Sequence, residues 1–244
     1  MNIDPSLWLD KLTENLVPVP WEGQDICPMC HSWKFTSELI CGNCLQVTTE
    51  LTFPCPKIMP ISLYRKPSLL RDWLKFYKPG AEGFEQSYCS AIAAIFYFAL
   101  VRQSRRLVQE VGGWDYLVVV PSTQPSESHP LEQQLKMVGL EEQLMRPLTR
   151  TEVPLGHRLM SDNGYAVADE VEGRRFLLVD DVYTTGARSQ SAASALQLAG
   201  GVVVAIVVIG RRINVEYNKI TEEVWHRQQR KEFSFETIFG NFDG

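Results

Sequence analysis

Three continuous apolar runs along this chain decide its fold class. Tyr116-Leu117-Val118-Val119-Val120 is apolar throughout and ends at Pro121, the pattern of a strand covered on both faces rather than one with a solvated side. Phe176-Leu177-Leu178-Val179 and Val202 to Ile209 have the same character. Between these last two, Ala187 to Ala199 is rich in alanine and leucine and closes on Gly200-Gly201, which predicts a helix and its stop. Strand, helix and strand within about 35 residues make a parallel crossover unit, nearly always right-handed. The pattern therefore predicts an α/β fold: a parallel sheet flanked by helices on both faces.

Two further helices are predicted. Ser68 to Tyr77 carries apolar residues mostly at helical spacing, and Lys78-Pro79-Gly80 stops it. Phe84 to Glu110 predicts one long helix, apolar in its middle and cationic near its end at Arg102, Arg105 and Arg106, with Gly112-Gly113 as breaker. Between Leu16 and Pro60 helical periodicity is lost and prolines and cysteines crowd together. That shift predicts a small N-terminal module, residues 1–56, ahead of a main domain, residues 57–244.

The 244 residues are 45% apolar and 22% charged, ordinary for one medium domain with a small appendage. A net charge of -5 provides no global attraction to nucleic acid, so direct nucleic-acid binding is not expected. Residues Met1 to Asp10 hold two aspartates and no cationic segment before an apolar run, unlike a secretory signal. The apolar stretches Ala91 to Val101 and Val202 to Ile209 are far shorter than the roughly 20 residues that span a bilayer. No membrane association is expected, and the cytoplasm is the predicted location.

Four of the six cysteines change the picture of the N-terminal module. Cys27-Pro28-Met29-Cys30 and Cys41-Gly42-Asn43-Cys44 are two C-x2-C knuckles separated by ten residues. Such a pair places four thiolates around one Zn²⁺, and a shell with no open position is structural. A metal site of this kind suits a reducing compartment better than a disulfide framework. His31 reads as a bystander beside a complete shell, and Cys55 and Cys89 as small apolar residues. Trp33 and Phe35 are expected to pack the module against the main domain.

The candidate chemistry lies after the second apolar run. Asp180 and Asp181 follow Val179, and Thr184-Thr185-Gly186-Ala187 then opens the predicted helix. In a parallel sheet, ligands bind beyond the carboxyl ends of the strands, where loops enter helix N-termini. Free N–H groups and the positive dipole end can hold a phosphate there, with the threonine hydroxyls as further donors. Two acceptors for a sugar diol or a metal-bound sugar beside donors for a phosphate describe a ribose 5-phosphate. No P-loop and no dinucleotide fingerprint competes with this motif.

Val179-Asp180-Asp181-Val182-Tyr183-Thr184-Thr185-Gly186 resembles the signature of type I phosphoribosyltransferases. The resemblance implies that Asp180 and Asp181 hold the ribose. It implies that Val182, Tyr183, Thr184, Thr185, Gly186 and Ala187 form the segment that binds the 5-phosphate. Joined to an N-terminal four-cysteine zinc ribbon, the motif is similar to the ComF-type proteins, a family linked to DNA uptake in competent bacteria. Leu74 to Gly80 resembles that family's lysine- and tyrosine-containing turn. Leu117 to Thr123 resembles its strand into the diphosphate loop, which implies substrate contacts at Ser122 and Thr123. Gly156-His157-Arg158 and Asn163 to Ala166 fall where the family has its flexible loop.

Taken together, the resemblance implies an enzyme that binds 5-phosphoribosyl 1-diphosphate with Mg²⁺ and transfers the phosphoribosyl group to an acceptor the sequence does not identify. Departing diphosphate needs Mg²⁺ and cations or N–H donors, yet Ser122 to Gln134 contains no lysine or arginine. Lys136, Arg146, Arg150 and Arg158 are the cations at hand, and Arg158 is assigned the catalytic role beside Asp180 and Asp181. The bare loop supports an alternative, a metabolite sensor without turnover that acts through a protein partner.

Overall fold

A computed structural model describes residues 3–122 and 129–240. In chain order the elements are α1 (Leu9–Asn15), α2 (Gly42–Glu50), β1 (Ile58–Tyr64), α3 (Leu69–Phe76), α4 (Gln86–Phe96), α5 (Ser104–Val111), β2 (Tyr116–Val119) and α6 (Pro130–Met137). There follow β3 (Leu148–Arg150), β4 (Tyr165–Val167), β5 (Arg175–Tyr183), α7 (Ala187–Leu198), β6 (Val202–Arg212) and α8 (Lys219–Gln229). Four strands form one sheet in the order β1-β6-β5-β2, and every pairing in it is parallel. β3 and β4 form a separate antiparallel pair.

The sheet is buried on both faces, as its continuous apolar strands require. On one face Leu177 and Val179 of β5 pack with Trp73 of α3, Phe96 of α4, Leu107 of α5 and Leu135 of α6. On the other, Phe176 and Leu178 pack with Ala192 and Leu196 of α7. The same cluster takes in Cys30, Cys44 and Val47 of the N-terminal segment, so the cysteine knuckles share a core with the sheet. A third cluster joins Val19 and Ile26 to Leu63 of β1 and to Val224 and Trp225 of α8. Trp33 packs beside it, with its ring centroid 5.5 Å from that of Tyr217.

The predicted strands and the crossover helix α7 are all present, with different ends. β5 continues through the acid pair to Tyr183, and β6 runs three residues beyond Ile209 to Arg212. The long helix predicted over 84–110 is divided: α4 ends at Phe96, a wide π-type turn follows over Tyr97–Arg102, and α5 begins at Ser104. No glycine or proline marks that break, so periodicity alone passed through it. β1 escapes prediction because Pro60 interrupts it, and its place at the sheet edge is where a missing N–H is tolerated. No helix among the described residues is long and apolar enough to cross a membrane.

Phe176 is fully buried and stacks on Tyr116 with ring centroids 6.2 Å apart. Phe176→Ala is expected to lower unfolding stability by about 3–5 kcal/mol. The measurement is a denaturant titration, with the midpoint falling and the slope unchanged.

Candidate functional site

At the carboxyl end of β5, Asp180, Val182, Thr184, Thr185, Gly186, Ala187 and Arg188 line a cavity of about 300 Å³. Leu155, Gly156 and His157 from the segment between β3 and β4 form its far wall. The turn into α7 depends on Gly186, whose φ of +87° is the left-handed conformation. A side chain there would also collide with the Tyr183 hydroxyl. That hydroxyl accepts a hydrogen bond from Gln190 Nε2 at 3.2 Å, so Tyr183 points away from the cavity and braces the turn from behind. Among the described residues the N–H groups of Thr184, Thr185 and Gly186 have no protein acceptor. They are available to an anion at the start of α7.

The two carboxylates are adjacent on a strand and therefore face different surroundings. Asp181 meets Lys78 Nζ at 2.5 Å and accepts from the Tyr77 hydroxyl at 3.4 Å, both just beyond α3. Burial pushes its pKa up, but Lys78 and then Arg188 outweigh burial, and it lies below the ordinary carboxylate range. Asp180 has no such partner. Its Oδ1 accepts the Asp181 N–H at 2.9 Å, while its Oδ2 is buried without a hydrogen-bond partner. Burial and then the Asp181 charge push Asp180 up to about 7. One carboxylate is thus held ionised and its neighbour is poised to exchange a proton near neutrality.

The structure brings Asp180, Val182 and Thr184 to Ala187 into one cavity, with Asp181 and Tyr183 behind it. Ser122 lies just beyond β2 and is half-buried, and Thr123 lies outside the described residues. Arg158 is exposed in a left-handed conformation, φ +63°, and lines a neighbouring cavity of about 490 Å³ that shares His157, Thr184 and Thr185 with the first. The other named cations are engaged elsewhere. Lys136 pairs with Glu141 at 2.9 Å, Arg146 pairs with Glu132, and Arg150 donates to the carbonyls of Thr151, Val153 and Gly164.

Sequence reasoning left Lys78 and Arg188 without a role, although both act on the acid pair. A signal for Arg188 was present: a cation in the first turn of a helix opposes the local dipole and calls for a nearby negative charge. Lys78 stood out only within the Leu74 to Gly80 resemblance, and its approach to Asp181 depends on how α3 packs against the sheet.

The four knuckle cysteines are all buried, and their sulfur atoms lie within 4.8 Å of one another. Four thiolates at about 2.3 Å from a tetrahedral zinc would be about 3.8 Å apart, and the Cys30 and Cys41 sulfurs are separated by 3.7 Å. The donor set and spacing fit structural zinc. His31 is outside the set, in a left-handed conformation with its ring centroid 4.2 Å from that of Trp21. Cys55 and Cys89 are buried and lie outside the set of four, Cys55 sharing its apolar cluster and Cys89 on the other face of the sheet.

No known family description and no curated protein matches the chain. Solved structures similar to parts of it include adenine phosphoribosyltransferase from Thermoanaerobacter pseudethanolicus, 18% identical, covering 56% of this chain and 80% of that one with a TM-score of 0.31. Another is a phosphoribosyltransferase from Corynebacterium diphtheriae, also 18% identical, covering 51% and 90% with a TM-score of 0.28.

Two outcomes follow from the site. Asp180 titrates near 3.8 when unfolded and about 7 when folded, so the folded chain keeps a proton across that window and loses stability as pH rises through it. Asp180→Asn is expected to be more stable than the parent at pH 8, by on the order of 1 kcal/mol, with the gap closing below pH 4; thermal melts across pH decide it. Cys27→Ser is expected to lose zinc and stability together, and a variant with full metal content by chelator assay contradicts a four-cysteine centre.

Proposed function

We propose that the chain binds 5-phosphoribosyl 1-diphosphate with Mg²⁺ and transfers its phosphoribosyl group to an acceptor nucleophile. The observation that carries this reading is the cavity in which the buried Asp180, with Asp181 next to it in the chain, meets the unpaired N–H groups of Thr184 to Gly186. Asp180 and Asp181 take the ribose hydroxyls, and Thr184, Thr185, Gly186 and Ala187 take the 5-phosphate. Val182 lines the cavity, Tyr183 braces the turn, and Ser122 and Thr123 are assigned to the diphosphate. Mg²⁺ would neutralise diphosphate charge, and the unpartnered Oδ2 of Asp180 suits the hydroxyls of a metal-bound sugar.

In the reaction the bond from the anomeric carbon to diphosphate breaks, with its electron pair leaving on the diphosphate oxygen. The acceptor forms the new bond to that carbon and gives up a proton. Asp180 and Asp181 offset the positive charge growing on the ring, while the two anchored phosphate groups hold the carbon in line. Arg158, on the adjoining rim, is assigned to the charge on the departing diphosphate. Residues 1–56 serve as a zinc-stapled structural module for the main domain 57–244, and buried free thiols suit the reducing cytoplasm.

A second reading is a sensor without turnover acting through a partner: Lys136, Arg146 and Arg150 are engaged in internal contacts, whereas Arg188 and Arg212, which line the cavity, speak for the first reading. Diphosphate release with a panel of bases and amines separates the two readings. Calorimetry with phosphoribosyl diphosphate and Mg²⁺ tests binding itself. Asp181→Asn and Thr185→Ala are expected to weaken it at least about tenfold with the fold intact, a loss of roughly 1.4 kcal/mol; unchanged affinity in both overturns the site. Because the ionised Asp180 is the better acceptor, affinity should rise through a midpoint near pH 7 and level off above about pH 8.

A further inference from the structure

Arg211, on β6 opposite Tyr183, is only 2% exposed, and no carboxylate among the described residues pairs with it. Its guanidinium instead spans the gap between the cysteine cluster and the turn into α7. Nη2 donates to Cys30 Sγ at 3.3 Å and Nε to the Cys30 carbonyl at 3.1 Å. Nη1 donates to the carbonyls of Tyr183 at 2.9 Å, Thr184 at 2.8 Å and Arg212 at 3.0 Å. A buried cation without a carboxylate needs other electron-rich partners, and here they are the Cys30 sulfur and the carbonyls of Cys30, Tyr183, Thr184 and Arg212.

Planar trans peptides turn these contacts into a statement about the site. In each peptide unit the C=O and the following N–H point in opposite directions. Drawing the Tyr183 and Thr184 carbonyls to Arg211 therefore aims the N–H groups of Thr184 and Thr185 away from the guanidinium; of the two cavities that both threonines line, Arg211 lines the larger and is absent from the one that holds Asp180. We propose that Arg211 is the positioning residue through which the four-cysteine metal centre orients the anion-binding amides of Thr184 and Thr185. The inference rests on the reading of that turn as the phosphate cradle. It makes the zinc centre part of the site's preorganisation, 181 residues away in sequence from the arginine that reads it.

Backbone ¹⁵N relaxation on the full chain tests this without any ligand. In the zinc-loaded protein the Thr184, Thr185 and Gly186 amides should be rigid, with order parameters of about 0.85. Removing zinc with a chelator should lower them below about 0.6 while the amides of β2 stay unchanged. Zinc-loaded Arg211→Met should show the low values already, with no further fall on stripping. Arg211→Lys should fall between, since one ammonium cannot span a sulfur and two carbonyls. That dependence of the metal effect on Arg211 is what a merely structural arginine would not produce.

Unchanged turn amides in the stripped parent, or a fall shared equally by β2, overturns the link. So does a zinc-loaded Met variant that keeps parental values. If the Met variant loses zinc, the parent and the Lys variant decide the question. Calorimetry with phosphoribosyl diphosphate separates this inference from the functional reading. A metal-sensitive turn that binds no ligand retains the link and removes the function, whereas ligand binding by a turn indifferent to metal does the reverse.

Discussion

Two carboxylates held side by side at the buried end of a central strand are the constraint on which the candidate site depends. Water would solvate both, but here Asp180 and Asp181 are each less than a tenth exposed, and like charges at such close range in a poorly solvated place repel strongly. The arrangement persists because their surroundings divide the problem. Lys78 fixes the charge on Asp181, whereas Asp180 is left to hold a proton until something better arrives. A strand packed on both faces keeps the pair from relaxing away, so the electrostatic tension is carried by the hydrophobic core.

The turn that follows is held from behind in the same manner. Tyr183 fills the space under Gly186, Gln190 ties that tyrosine to α7 and also to the backbone of Cys55, and Arg211 gathers the carbonyls of the turn. Each of these residues is buried, and Gln190 and Arg211 bond directly to the N-terminal segment, at Cys55 and Cys30. The cysteine module is therefore no loose appendage. Its knuckles complete the same apolar cluster that seats α7, so the turn and the four-cysteine cluster share one packed body.

Much of this was legible in the chain itself. Buried parallel strands leave continuous apolar runs, and β2, β5 and β6 announced themselves so. The paired knuckles, the acid pair and the Thr-Thr-Gly turn are local spellings, because each needs particular residue types at fixed short spacing. β1 was hidden by Pro60, and the break between α4 and α5 by the absence of any breaking residue. Lys78 and Arg211 went unassigned because a lone cation has no period and no spacing to reveal its partner, whereas Arg188 carried a signal in its place in the first turn of α7.

What the sequence by itself determined was the set of groups whose relation is short-range: strand, acid pair, Thr-Thr-Gly turn, helix start and two pairs of thiols. Only the tertiary structure decided which distant charges meet them, that Lys78 falls to Asp181 and Arg211 to both Cys30 and the turn. The physical reason is that local chemistry is written in neighbouring residues. Pairing across the core follows instead from how helices pack on the sheet, which depends on the whole buried surface at once.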